Sequence, residues 1–180
     1  MRRWNGWGDE ANKMDLPPSG KDFLSGLIGE SSPLKDADLS DVISQVPESR
    51  LPDHVLIDKD PEQRVRHARG QSLPDWLAMR SGDFKFFPDG VAFPETKDQV
   101  AELLGFCHEN DFVLIPYGGG TSVAGHINPF ESNRPILTVS LGRMTRLLEL
   151  DTESQIATFG PGTPGPLVES QLRAKGYTLG

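Results

Sequence analysis

Cysteine occurs once in the 180 residues, as Cys107. A lone thiol excludes an internal disulfide framework and a cysteine-rich metal site, and it gives no sign of an oxidising compartment. No metal site is expected. No apolar run approaches the roughly 20 residues that span a bilayer. The opening MRRWNGWGDE carries arginines but no apolar stretch behind them, so it does not read as a secretion signal, and a cytoplasmic location is the expectation. A basic tract is also missing. The net charge is −8, and the one bunch of basic residues, Arg64 to Arg69, is flanked by acidic ones. Such a chain is a poor nucleic-acid binder, because affinity there comes mostly from neutralising phosphates. There is no internal repeat and no low-complexity tract.

What is present reads as a soluble globular chain, with 36% hydrophobic and 24% charged residues. Its length suffices for one real core, or for a small domain plus an irregular arm. Residues 1–87 read as a helical and irregular N-terminal segment. A short helix is expected over Lys21–Ile28, with Phe23, Leu24 and Leu27 as its apolar stripe and Gly29 as its stop. A second is expected over Asp38–Val46, followed by a linker, PESRLPDH. Asp60-Pro61-Glu62 is a helix start with Asp60 as the cap and Gly70 as the stop. Ser72 to Arg80 forms another short helix anchored by Trp76, Leu77 and Met79.

Residues 88–180 interleave strands and helices, which implies an α+β or α/β layer structure. Val91–Pro94 is a strand. Thr96 and Gln99 have capping-box spacing, and Val100, Leu103, Leu104 and Cys107 then fall on one helix face. Cys107 points inward there and acts as a small hydrophobe. Phe112–Ile115 and Ile136–Leu141 are strands. Leu147–Leu150 and Gln155–Phe159 form a hairpin around Thr152-Glu153-Ser154. Thr163 caps a last helix that presents Leu167, Val168 and Leu172 and stops at Gly176. Tyr177–Leu179 begins a further strand.

Between the Phe112–Ile115 strand and Ile136 lies Pro116-Tyr117-Gly118-Gly119-Gly120-Thr121-Ser122. Three consecutive glycines bring no side chain to pack. They permit positive φ and close approach of another group. A run of free N–H groups in such a loop makes a concave anion site, and Thr121 and Ser122 add hydroxyl donors. An ordinary long turn is the alternative. Rossmann spacing fails, because no third glycine follows three residues after the second. P-loop spacing runs from Gly120 to Gly125, but His126-Ile127 stands where Lys-Ser/Thr is needed, so nucleoside triphosphate hydrolysis is not expected.

Strand, helix, strand and then PYGGGTSVAGH resembles the first half of the PCMH-type FAD-binding domain of the vanillyl-alcohol oxidase superfamily. The resemblance continues through ILTVSLGRMTRLLELDTESQIATFGPGTPGPLVESQLRAKGYTLG. The fold it implies is α+β: the first half of that domain over 88–180, preceded by a mostly helical arm. RRWNGWGDE and DPEQRVRHARGQSLPDWLAMRSGDFKFFPDGVAFPET are similar to the corresponding segments of alkylglycerone-phosphate synthases, so the whole chain is covered. Carried over residue by residue, Pro116, Tyr117, Gly118, Gly119, Gly120, Thr121 and Ser122 match the loop that grips the FAD diphosphate, with Tyr117 at a position of variable type. Relatives with covalent flavin have a histidine about where Thr121 stands, so the resemblance implies non-covalent FAD.

The resemblance implies exchange of the acyl group of an acyl-dihydroxyacetone phosphate for a fatty alcohol, without net redox change. The alternatives are an FAD-linked oxidase or dehydrogenase of a small 2-hydroxy acid or alcohol, and an inactive truncated remnant. It also implies a lipid-phosphate substrate, peripheral membrane association and a homodimer. Catalytic residues are expected beyond residue 180, which makes the chain read as a fragment with weak or no FAD binding and no activity of its own. Arg64, His67, Arg69 and Arg80 have two readings: they face an anionic head group, or they form a solvated, salt-bridged helix face helped by Asp60 and Glu62. The second is preferred. Trp4 and Trp7 are expected as packing anchors.

Overall fold

The computed structural model describes residues 3–12, 14–32 and 35–180; Met1 and Arg2 of the arginine-bearing opening lie outside them. Helix α1 (Pro18–Ile28) ends at Gly29, whose φ is 82°. None of its residues is buried, so the Phe23, Leu24 and Leu27 stripe faces no core. Helix α2 (Leu39–Ile43) is shorter than the pattern predicts, and Asp38 flanks its start. The PESRLPDH stretch is irregular but not a loose linker. Leu51 is only 4% exposed and Arg50 is bonded to Asp89. Proline and polar residues forecast an irregular backbone there; they do not forecast whether it packs.

Strand β1 (Ile57–Asp58) follows, so the N-terminal segment contributes a strand to the sheet. Asp60 caps α3 (Pro61–Arg66) by accepting the Gln63 N–H. That helix stops well before Gly70. Ser72 caps α4 (Leu73–Ser81) in a reciprocal capping box with Asp75. Val42, Val65, Ala68, Met79 and Phe84 close a core among these short helices. Trp4 packs on it, with its ring 6.4 Å from that of Phe84. Trp7 is 55% exposed and joins no core cluster among the described residues, so one of the two expected anchors holds.

Strand β2 (Gly90–Ala92), helix α5 (Lys97–Glu109), β3 (Val113–Tyr117) and β4 (Ile136–Ser140) complete the main sheet, in the order β1-β2-β4-β3. β2, β4 and β3 run parallel, and β1 is antiparallel to β2. All five residues of β4 are buried, as suits a parallel strand covered on both faces. On one face, Leu137 and Val139 meet Leu103 and Cys107 of α5; on the other, Ile136 meets Ile115, Tyr117 and Ile127. Burial of Leu103 contributes about 2 kcal/mol. Leu104, expected on the same helix face, is 53% exposed. It lies about 100° around the helix from Leu103, and Phe106 takes the flank instead, against Phe112 and His54. Burial raises the Cys107 thiol pKa, which keeps it an inert apolar group.

A 3₁₀ turn (Leu141–Arg143) leads to the antiparallel hairpin β5 (Leu147–Asp151) and β6 (Ile156–Phe159), then to α6 (Gly165–Arg173). The Asp151 carboxylate sets the hairpin turn by accepting the Glu153 and Ser154 N–H groups. Thr163 does not cap α6. Its hydroxyl donates to the Gly160 carbonyl at 2.7 Å, and Pro164 sits at the cap position. Residues 177–179 form no strand. Their polar groups turn to Glu169, which accepts from the Leu179 N–H and the Thr178 hydroxyl. Those two bonds and Arg173 hold its carboxyl down to about 2. Among the described residues, no helix is long and apolar enough to cross a membrane.

Candidate functional site

The parallel direction of β2, β4 and β3 brings their C-terminal ends to one edge of the sheet, where ligands of open α/β sheets sit. β3 delivers the glycine loop to that edge. Its last residue, Tyr117, is 2% exposed and packs inward with Ile115, Ile127 and Ile136. The phenol donates to the Arg66 carbonyl at 3.3 Å. The side chain of Tyr117 is therefore an anchor, and only its backbone faces the loop. Pro116 is exposed.

Beyond Tyr117 the chain leaves the sheet. Gly118 and Gly119 are exposed, and Gly120 is buried with φ of 66°, a left-handed conformation that favours glycine. A Cβ on Gly118 would meet nothing within 4 Å, so the space in front of this backbone is open. Among the described residues, the N–H groups of Gly118, Gly119, Gly120 and Thr121 find no protein acceptor. Four adjacent donors beside open space suit a group with several anionic oxygens. No acidic side chain occurs from Phe112 to Phe130 to oppose one. An FAD diphosphate fits this cradle.

The two hydroxyls differ. Thr121 is exposed and, among the described residues, makes no hydrogen bond of its own. Ser122 is turned inward. Its carbonyl accepts the Gln71 N–H at 2.6 Å, and its hydroxyl accepts from Ala124 N–H and pairs with His126 Nδ1 at 3.1 Å. Of the seven residues singled out in the sequence, the structure thus places Gly118, Gly119, Gly120 and Thr121 around the open space. Tyr117 and Ser122 act as its fixed ends.

The basic cluster of the N-terminal segment is not a solvated helix face. Arg64 is 2% exposed; its Nε donates to the Pro88 carbonyl at 2.6 Å and its Nη1 to the Pro47 carbonyl at 2.7 Å. It joins α3 to the start of β2. Arg80 is bonded to both oxygens of Asp36. His67 lies against the rings of Phe93 and Tyr117, at 5.4 and 4.7 Å, and its Nδ1 meets the Gln63 carbonyl. Arg69 stands over the Phe84 ring at 5.6 Å. Arg66, His67 and Arg69 line a pocket of about 150 Å³ together with Gln71 and Tyr117. Charge alone gave no means of telling buried arginines from solvated ones.

The sequence reading also missed the brace beneath the loop. Gly70, expected to stop a helix, is instead a point of contact. A Cβ there would collide with the Ser122 carbonyl oxygen. Gly70 N–H donates to Asn128 Oδ1 at 2.9 Å, and Asn128 Nδ2 donates to Asp75 Oδ1 at 2.6 Å. The signal for Asp75 was its spacing from Ser72. Nothing local marked Asn128, whose partners lie 53 and 58 residues away.

Known proteins match the chain at three levels. A family profile described as FAD binding domain matches residues 88–180. The alkyldihydroxyacetonephosphate synthase of Trypanosoma brucei brucei is 28% identical over 211 residues, covering 99% of this chain and 34% of that protein. A solved structure described as alkyldihydroxyacetonephosphate synthase superposes with a TM-score of 0.83 at 25% identity, covering 99% of this chain and 39% of the other. The mitochondrial D-lactate dehydrogenase [cytochrome] 1 of Saccharomyces cerevisiae is 31% identical over 94 residues, 52% of this chain and 16% of that protein. The chain spans about a third of the length of the synthase relatives. Because the family profile matches half of the chain, with the glycine loop inside the matched region, the chain belongs to the FAD-binding domain family and FAD is its cofactor.

Proposed function

We propose that the chain serves an FAD-dependent enzyme of the alkylglycerone-phosphate synthase type, which exchanges the acyl group of an acyl-dihydroxyacetone phosphate for a long-chain alcohol. Glycerone and dihydroxyacetone are the same triose, so this is the reaction class named in the synthase relatives. One observation carries the reading. The synthase similarity spans 99% of the chain, α1 to α4 included, whereas the similarity to the lactate dehydrogenase spans 52%. The N-terminal segment, which the synthase similarity includes, is also the segment that braces the glycine loop.

In this reading, Gly118, Gly119, Gly120 and Thr121 hold the FAD diphosphate through backbone N–H groups. That fixes the cofactor's position without a positively charged side chain in the loop. When bound, the flavin supplies the chemistry of the exchange. The chain's own share is binding and orientation. Thr121 carries no nucleophilic ring nitrogen, and the nearest histidine in sequence, His126, is paired with Ser122. The flavin is therefore held non-covalently. Denaturation in acid should release all flavin to the supernatant; flavin that stays with the precipitated polypeptide would end this part of the proposal.

The second reading, an FAD-linked dehydrogenase of a small 2-hydroxy acid, rests on the 31% identity to the lactate dehydrogenase. The purified protein, given acyl-dihydroxyacetone phosphate and a labelled long-chain alcohol, should yield labelled ether product. Dye reduction by a 2-hydroxy acid, with no ether formed, would favour the second reading. Neither product, with no flavin bound, would favour an inactive remnant.

A further inference from the structure

We infer that the buried Asp75 and the half-buried Asn128 form a clamp that positions the glycine loop for the FAD diphosphate. The inference rests on the reading that this loop holds the diphosphate. Beyond Tyr117 the loop has no regular secondary structure of its own, and among the described residues four of its N–H groups have no protein acceptor. Such a segment would have to be ordered when its anion arrives, at a cost to affinity. Its N-terminal end is fixed by β3, where Tyr117 pairs with Ser140. Its far end is fixed from α4, in a segment distant in sequence.

Asp75 sits in the first turn of α4 and is 1% exposed. Its Oδ2 accepts the Ser72 N–H at 3.2 Å and the Ser72 hydroxyl at 2.6 Å, which sets the carboxylate's orientation. Its Oδ1 accepts Asn128 Nδ2 at 2.6 Å. The other end of the same amide, Oδ1, accepts the Gly70 N–H. Only one orientation of the Asn128 amide satisfies both partners, since a flip would set a donor against a donor and an acceptor against a carboxylate. Gly70 is thereby held where its lack of a side chain lets the Ser122 carbonyl approach, and the adjacent Gln71 N–H takes that carbonyl. The chain of bonds runs from the α4 cap through Asp75, Asn128 and Gly70 to the last residue of the diphosphate loop. Arg69 stands 3.7 Å from Asp75 Oδ1 and offsets its buried charge. The two side chains are positioning residues; neither is placed to touch the cofactor.

The bonding pattern supplies its own test, because it is symmetric under exchange. With asparagine at 75 and aspartate at 128, the bonds to Ser72, to Gly70 and between the two side chains can all be remade, the last with donor and acceptor reversed; the Arg69 ion pair, which needs a carboxylate at 75, is the one contact the exchange does not restore. Asp75→Asn alone has one acceptor where two are needed, so it keeps the Asn128 bond only by setting its own NH2 against the Ser72 N–H, and Asn128→Asp alone opposes two carboxylates. The measurement is an FAD titration of the whole chain followed by ¹H–¹⁵N NMR, which reads weak as well as tight binding. In the wild type, the amides of Gly118 to Thr121 should shift saturably with FAD. Each single variant should raise Kd about tenfold, Asn128→Asp more than Asp75→Asn. The double variant should return to within about twofold of the wild type. A destabilising control, Leu172→Ala in α6, should lower Tm and leave Kd unchanged. Singles with wild-type Kd, a double variant no better than Asn128→Asp, or a control that weakens FAD as much as the singles would each overturn the clamp. A wild type whose loop amides ignore FAD would instead overturn the underlying reading of the loop.

Discussion

Gly118→Asp should abolish FAD binding while leaving the fold intact. The position is exposed, its φ lies outside the left-handed region, and a Cβ there would touch nothing within 4 Å. Surface substitutions free of such contacts change stability by roughly 0.5 kcal/mol or less, so the unfolding midpoint should hardly move. The new carboxylate would project into the space assigned to the diphosphate. Like charges brought together in a binding site cost several kcal/mol, and Kd should rise at least about 100-fold. Added salt should recover part of the loss, because the site is open to solvent. Gly118→Ala separates charge from bulk and should cost far less. Gly120→Asp would be uninformative, since a buried residue at φ of 66° loses stability as well as binding. FAD titration with urea unfolding of the same two Gly118 variants checks the prediction. If Gly118→Asp binds FAD normally, the diphosphate lies elsewhere.

The parts of this arrangement that a sequence displays are the local ones. The cap at Thr96, the capped start at Asp60 and the hairpin between β5 and β6 each depend on residues two to four positions apart, and all form where the spacing places them. The glycine run stood out because three consecutive glycines bring no side chain to pack. Three of the failures share one cause. Gly70 resembled a helix stop, PESRLPDH a linker, and Arg64 a surface charge, because their true partners are remote. Gly70 meets Ser122, Arg50 meets Asp89, and Arg64 reaches back to Pro47 and forward to Pro88. The same remoteness hid Asp75 and Asn128. Thr163 failed differently. Its hydroxyl had a nearer acceptor in the Gly160 carbonyl, a local competitor for the capping role.

The remote contact with the largest expected effect on stability is Arg50–Asp89. Asp89 is 3% exposed and precedes β2. Its carboxylate accepts from Arg50 Nε and Nη2, each at 2.8 Å, from the Arg50 N–H at 3.1 Å, and from the Ile136 N–H at 2.7 Å. It therefore ties the irregular 47–54 segment to the entry of both β2 and β4. Asp89→Ala would leave those donors without their acceptor. It would also remove the negative charge that faces the buried Arg64 guanidinium, whose charged form burial already disfavours. Breaking a buried pair costs about 3–5 kcal/mol; Arg50 is 46% exposed and can rehydrate, which places the expectation near the low end, about 3 kcal/mol. The pH dependence has a definite sign. Burial pushes the Asp89 carboxyl upward, but the bonds from Arg50 and from the Ile136 N–H outweigh it and hold the group below its ordinary value. The unfolded chain then binds the extra proton first as pH falls, so the contribution is complete above the unfolded carboxylate value of about 4 and is lost as pH drops through the folded one. Urea unfolding of the wild type and Asp89→Asn should show a constant stability gap from pH 8 down to about pH 5 and a shrinking one below about pH 4. A gap that stays constant to pH 2, or that widens as the acid is added, would show that the carboxylate is not the charged partner the geometry makes it.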